Sequence, residues 1–130
     1  MITADEVRSK ICGEEAVFEK RARTVANYLV NVVAKEAIDV MIAQRKCTIC
    51  REYSMTEAYG KGMAKAGVGH LKPAMFGDEY DLITERARAI ANEKIKEAGY
   101  EGGFYESQRG DPVYGGGNGV YYVVVLELKC

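Results

Sequence analysis

The stretch EEAVFEKRARTVANYLVNVVAKEAIDVMIAQRK, residues 14–46, decides the fold, because it contains neither Gly nor Pro. Apolar residues recur at Phe18, Ala22, Val25, Leu29, Val33, Ala37, Val40 and Met41, the three-to-four spacing of one helical face. Lys20, Thr24, Asn27, Asn31 and Lys35 hold the opposite stripe, and Arg45 and Lys46 suit the negative end of the helix dipole. Between Leu29 and Ala43 the apolar surface widens to most of the circumference, so that section needs cover on several sides.

Length sharpens the point. A helix over 14–46 spans roughly 50 Å, whereas a compact domain of 130 residues is only about 36 Å across. Either the helix breaks near Asn27 or Asn31, or it projects and another subunit covers it. The second reading is favoured, and a charge at Val33 or Val40 is then expected to separate the subunits.

Upstream, Thr3 and Glu6 form a capping box and Ile2 and Val7 a hydrophobic staple. They open a short first helix over about 4–12 that Gly13 stops. Downstream, from Cys47 to Gly77, the pattern loosens. Ser54 and Glu57 can cap a weak helix across Met55–Ala66 that Gly60 and Gly62 undermine. Gly67, Gly69 and Pro73 then make a loop. Asp78 caps a strong helix, Glu79–Ala98, closed by Gly99 with Tyr100 set against Ile95.

After Gly99 the pattern turns to β. Phe104–Gln108 reads as a short strand, Arg109–Gly119 as turn residues throughout, and Val120–Leu128 (VYYVVVLEL) as the firmest strand. Both faces of that last strand are apolar, and a two-stranded hairpin is marginal in water. The expectation is therefore α+β: three to four helices, one of them long and central, then a C-terminal β-hairpin. The small sheet is expected to be completed or covered by another subunit, and 1–130 to be a single domain.

Composition excludes several classes. Apolar residues at 48% and charged residues at 28% rule out wholesale disorder. No uncharged apolar run reaches the roughly 18 residues of a spanning helix, so no membrane role is expected. Met1–Glu6 lacks the basic-then-apolar pattern of a secretory signal, which makes a cytoplasmic location the expectation. The net charge of −1 makes nucleic acid an unlikely partner.

Three patches invite chemistry. Cys47-Thr-Ile-Cys50 has zinc-ligand spacing, but Cys12, Cys130 and the single His70 form no second pair, so reduced, metal-free thiols are expected. The stretch from Gly60 to Lys72 holds Lys61, Lys65, His70 and Lys72, and no acid occurs between Glu57 and Asp78. Its glycines and exposed amides could cradle an anion, although the spacing is not that of a phosphate-binding loop. Arg109 adds a guanidinium fork, with Tyr105 or Tyr114 for stacking. Arg109-Gly-Asp111 resembles an adhesion triplet only in letters, since it lies among turn residues of a chain without a signal. Lys20-Arg-Ala-Arg23 is flanked by Glu14, Glu15 and Glu19 and reads as a salt-laced helix surface.

No nucleophile elbow, zincin motif or histidine cluster is present, so no catalytic residue, metal or cofactor is expected. The leading expectation is a non-enzymatic binding or inhibitory module acting as a homo-oligomer. Its partner would be a protein or a small anionic, phosphate- or nucleotide-like ligand held by Lys61, Lys65, His70, Lys72 and Arg109. A small enzyme acting on a phosphorylated or nucleotide substrate is the alternative, and a nucleic-acid binder comes third.

Overall fold

A computed structural model describes residues 1–73, 78–110 and 120–130. The chain is α+β; the described residues form three helices and a three-stranded antiparallel sheet. The long helix α1 covers 4–44: α-helical over Ala4–Tyr28, π-helical over Leu29–Ala34 and α-helical again over Lys35–Gln44. The other elements are β1 (Thr48–Ser54), α2 (Met55–Lys65), α3 (Glu79–Glu97), β2 (Glu101–Gly110) and β3 (Val120–Lys129). Among the described residues no helix is long and apolar enough to cross a membrane.

The helix ends follow local chemistry. The Thr3 and Ser54 capping boxes both form, and Asp78 accepts from the Asp81 amide. Tyr100 N–H donates to the Ile95 carbonyl at 3.2 Å beyond a left-handed Gly99. Gly13, in contrast, does not stop a first helix. The two segments expected over 4–12 and 14–46 are one rod, because a mid-helix glycine costs only about 1 kcal/mol and terminates nothing unless it turns left-handed. The rod ends instead at Arg45, whose φ of 54° closes it. At Asn31, near which the less favoured reading put a break, the backbone widens into the π-turn and continues, so the helix is unbroken as the favoured reading expected. Val30, Val32 and Val33 crowd that turn, and β-branched side chains fit the tighter α-turn poorly.

Val25, Leu29, Val33, Ala37 and Met41 of α1 meet Ala58, Tyr59 and Met63 of α2 and the Ile83–Ala87–Ala91–Ile95 face of α3. Phe104, Val124, Leu126 and Leu128 close this core from the sheet. Val33 is only 4% exposed inside its own subunit and Val40 is half-buried. A charge at Val33 therefore acts on the fold, not on an interface as the sequence suggested. Gly62 lies at the close α1–α2 approach: a Cβ there would sit 3.2 Å from the Val25 Cα and the Tyr28 Cβ, tight enough that α1 would have to give by a few tenths of an ångström.

The sheet order is β1-β3-β2. Sequence reading missed β1, and its presence removes one reason for a second subunit. Ile49 pairs with Leu128 and Tyr53 with Val124, so the free edge of β3 is filled from within the chain. On the other face of β3, Val123 and Val125 are buried outside the main core cluster. The Arg109–Glu52 ion pair runs from β2 to β1 on that face, across β3, and Tyr105 donates to Glu127 at 2.8 Å. Arg109 and Gly110 belong to β2, not to a turn. The rest of the expected turn, residues 111–119 with Tyr114, lies outside the described residues.

Asn92 of α3 protects the edge of β2. Its Nδ2 donates to the Phe104 carbonyl at 3.0 Å and its Oδ1 accepts from the Phe104 amide at 2.7 Å, as a neighbouring strand would. Asn92→Ala leaves both groups unpaired in a partly buried place. It is expected to destabilise the fold by about 2 kcal/mol, measured by urea unfolding. A loss below about 0.5 kcal/mol would show that water replaces the amide at no cost.

Candidate functional site

The π-turn sets up the site. It places Tyr28, Val32, Val33 and Glu36 along one wall of a groove of about 560 Å³, within the size range of small-molecule sites. The end of β1 supplies Tyr53 and Ser54, and the outer face of α2 supplies Thr56, Glu57, Gly60, Lys61 and Ala64. Isolated π-turns are often found at functional positions because the extra residue redirects side chains. Here the turn, the strand end and the helix start converge on one apolar concavity.

Tyr53 is the unusual group in it. Its hydroxyl is buried and has no hydrogen-bond partner among the described residues, an uncommon and costly state for a polar group. Burial raises its pKa; Arg51, with its guanidinium 5.9 Å from the ring centroid, works against this, while Glu36 and Glu57 add to it. The phenol is therefore a neutral donor at physiological pH. Around the rim, the Glu57 carboxylate accepts from the Ser54 amide. Among the described residues Lys61 forms no ion pair within 4.0 Å, which leaves its ammonium open to a ligand.

Of the residues expected to bind an anion, Lys61 lines this groove. Lys65 stands one turn further along α2, its ammonium 5.7 Å from the ring centroid of Tyr28, itself a lining residue. His70 and Lys72 are exposed on the segment after α2 and do not line the groove. Arg109 lies on the outer face of the sheet, tied to Glu52 and to Ser107 Oγ at 2.6 Å, so its fork is already filled. The glycine cradle also dissolves. Gly60 and Gly62 sit inside α2, and the Gly67 amide donates to the Ala64 carbonyl at the helix end.

The cysteine motif divides in the same way. Cys130 N–H donates to the Cys47 carbonyl at 3.0 Å, extending the β1–β3 ladder so that these two cysteines face each other. Cys50 stands opposite Glu127, with its thiol 3.8 Å from the carboxylate. Cys47 lies just before β1 beside Cys130, whereas Cys50 lies within β1 opposite Glu127, so CxxC marks no common site. No group of three or more His, Cys, Asp or Glu among the described residues is arranged to hold a metal.

A second polar cluster lies between α2, α3 and β2. Arg88 Nη1 donates to Glu106 Oε1 at 2.6 Å and to the Tyr59 hydroxyl at 2.7 Å, and that hydroxyl donates to the same carboxylate oxygen at 3.2 Å. Burial pushes the Tyr59 phenol well above its usual range. Tyr80, edge-on to Tyr59 with ring centroids 6.2 Å apart, is pushed up to about 12, by burial first and then by Glu106 and Asp81. Neither phenol can serve as a base near neutrality, and every member of the triad already has partners. The cluster is built as a pin between elements.

Tyr53, Tyr28 and Glu36 escaped sequence reading. The valine run beside Asn31 is the one local signal, and the stretch that delivers Tyr53 carries no pattern that assigns it to a strand. No family model, curated protein or solved structure matches the chain, so the functional argument rests on these residues.

Proposed function

We propose that the chain is a non-catalytic binding module whose ligand occupies the groove beside the π-turn. The buried, unpartnered Tyr53 hydroxyl carries this reading. The hydroxyl lies just beneath the groove lining; a ligand acceptor that reaches it through a small shift of the wall would satisfy an unpaired donor, and such a contact is stronger in an apolar setting. The apolar walls call for an apolar body. The open Lys61 ammonium at the rim, with Lys65 behind it, calls for an acidic group. Glu36 and Glu57 set a limit on charge: a compact monoanion fits, whereas a polyphosphate would face two carboxylates. The ligand class is thus a carboxylate or sulfonate on an apolar frame.

Anilinonaphthalene sulfonate has those features and serves as the probe, with ATP as the polyanionic comparison. The fluorescent probe is expected to bind the folded protein, and Lys61→Ala to weaken it several-fold. Gly60→Leu should abolish binding while the fold persists, because a Cβ at Gly60 meets only Thr56 Cγ2 at 3.5 Å and the added side chain fills the groove. Unchanged probe affinity in folded Gly60→Leu would remove the groove as the site. Tight ATP binding that depends on Lys65 and Lys72 would favour the phosphate reading instead.

A further inference from the structure

Among the described residues, the N-terminal part of α1 has no packing partner in its own subunit. Residues 1–17 are all exposed, and helical residues 4–17 extend about 21 Å. The apolar stripe does not stop where the core does. Val7, Ile11 and Phe18 lie on the same helical face as the buried Ala22, Val25 and Leu29, within about 60° of arc at 3.6 residues per turn. Val7 is 44% and Ile11 49% exposed. A helical extension of this length, with a glycine inside it, lacks the tertiary packing that supplies most helix stability in proteins.

The flanking charges indicate what covers it. Arg8 and Glu15, seven residues apart, lie on one side of the stripe; Lys10 and Glu14, four apart, lie on the other. Residue numbers in the first pair sum to 23 and in the second to 24, so an antiparallel partner centred near Ile11 and Cys12 places Arg8 against Glu15 and Lys10 against Glu14. A two-fold axis makes each match twice. A parallel pairing matches only Lys10 with Glu15. Among the described residues Lys10, Glu14 and Glu15 form no ion pair within the chain, and Arg8 reaches only the exposed Asp5. We infer that this arm is a self-association surface, pairing antiparallel with the same arm of a second copy through Val7, Ile11 and Phe18. The inference is independent of the ligand groove, and either can fail without the other.

Light scattering at micromolar concentration tests it, with a mass of twice 14.3 kDa expected for the unaltered chain. Ile11→Glu should return the mass to 14.3 kDa with the near-ultraviolet tyrosine signal of the core unchanged. Two charge variants test the register: Arg8→Glu with Lys10→Glu in one chain, and Glu14→Lys with Glu15→Lys in another. Each alone should self-associate about tenfold more weakly or worse, since four attractive contacts become repulsive, and an equimolar mixture should regain the doubled mass. A spin label at residue 5 in cysteine-free protein should report a separation of about 20 Å between copies, against about 10 Å for a parallel pair. A monomeric unaltered chain, a doubled mass in Ile11→Glu, no recovery on mixing, or the short distance would each overturn the proposal.

Discussion

Arg88→Met is expected to lower the free energy of unfolding by about 3 kcal/mol, near the lower end of the range for breaking a buried ion pair. The Arg88 and Glu106 side chains are 17% and 28% exposed, so water relieves part of the cost of an abandoned carboxylate. Tyr59 is wholly buried, and without the guanidinium its hydroxyl keeps only the 3.2 Å bond to Glu106. The loss should therefore come from an uncompensated charge more than from missing contacts. Adding Glu106→Gln tests that account, because the amide removes the charge and keeps an acceptor for Tyr59. The double variant is expected to recover at least half of the loss in urea unfolding. A single variant within about 0.5 kcal/mol of the unaltered chain, or a double variant worse than the single, would show that the triad is not the pin described above.

That triad also shows why part of the molecule could not be read in advance. Tyr59, Arg88 and Glu106 are separated by 29 and 18 residues. On its own helix Arg88 is one of several alternating charges, and no local pattern singles it out. Features governed by neighbours in sequence were legible: the caps at Thr3, Ser54 and Asp78, the stop at Gly99, the α1 stripe and the β3 run. Features governed by tertiary approach were not. Gly60 and Gly62 looked like helix breakers until the nearness of Val25 and Tyr28 accounted for Gly62. The strand TICREYS carries only two large inward apolar groups, Ile49 and Tyr53, and depends on the ladder with β3 for its conformation. The candidate site was half legible for the same reason. Lys61 and Lys65 stood out as charges, but their relevant partners come from α1 and β1, and Arg109 was claimed by a carboxylate on a strand that had not been recognised.

The interplay of backbone approach and strand pairing is sharpest at Gly102, where the largest loss is expected. Gly102 has a φ of 99°, and a Cβ there would lie 2.2 Å from the Glu127 carbonyl oxygen and 2.9 Å from its carbon. Those atoms belong to the β3 backbone, so relief requires opening the β2–β3 ladder instead of rotating a side chain. Gly99 offers a matched control, since its φ is 95° and a Cβ there meets nothing within 4 Å. Gly99→Ala should therefore cost only backbone strain, about 1–2 kcal/mol. Gly102→Ala adds the collision to the same strain and is expected to cost about 4 kcal/mol. The difference between the two in denaturant unfolding isolates the steric contribution. Because β2 also carries Glu106 and Arg109, amide exchange in Gly102→Ala should accelerate at both ends of that strand while α1 beyond the π-turn stays protected. Equal losses at the two glycines would mean that β2 can slide away from Glu127 freely, and that the sheet does not hold the Tyr59–Arg88–Glu106 pin in place.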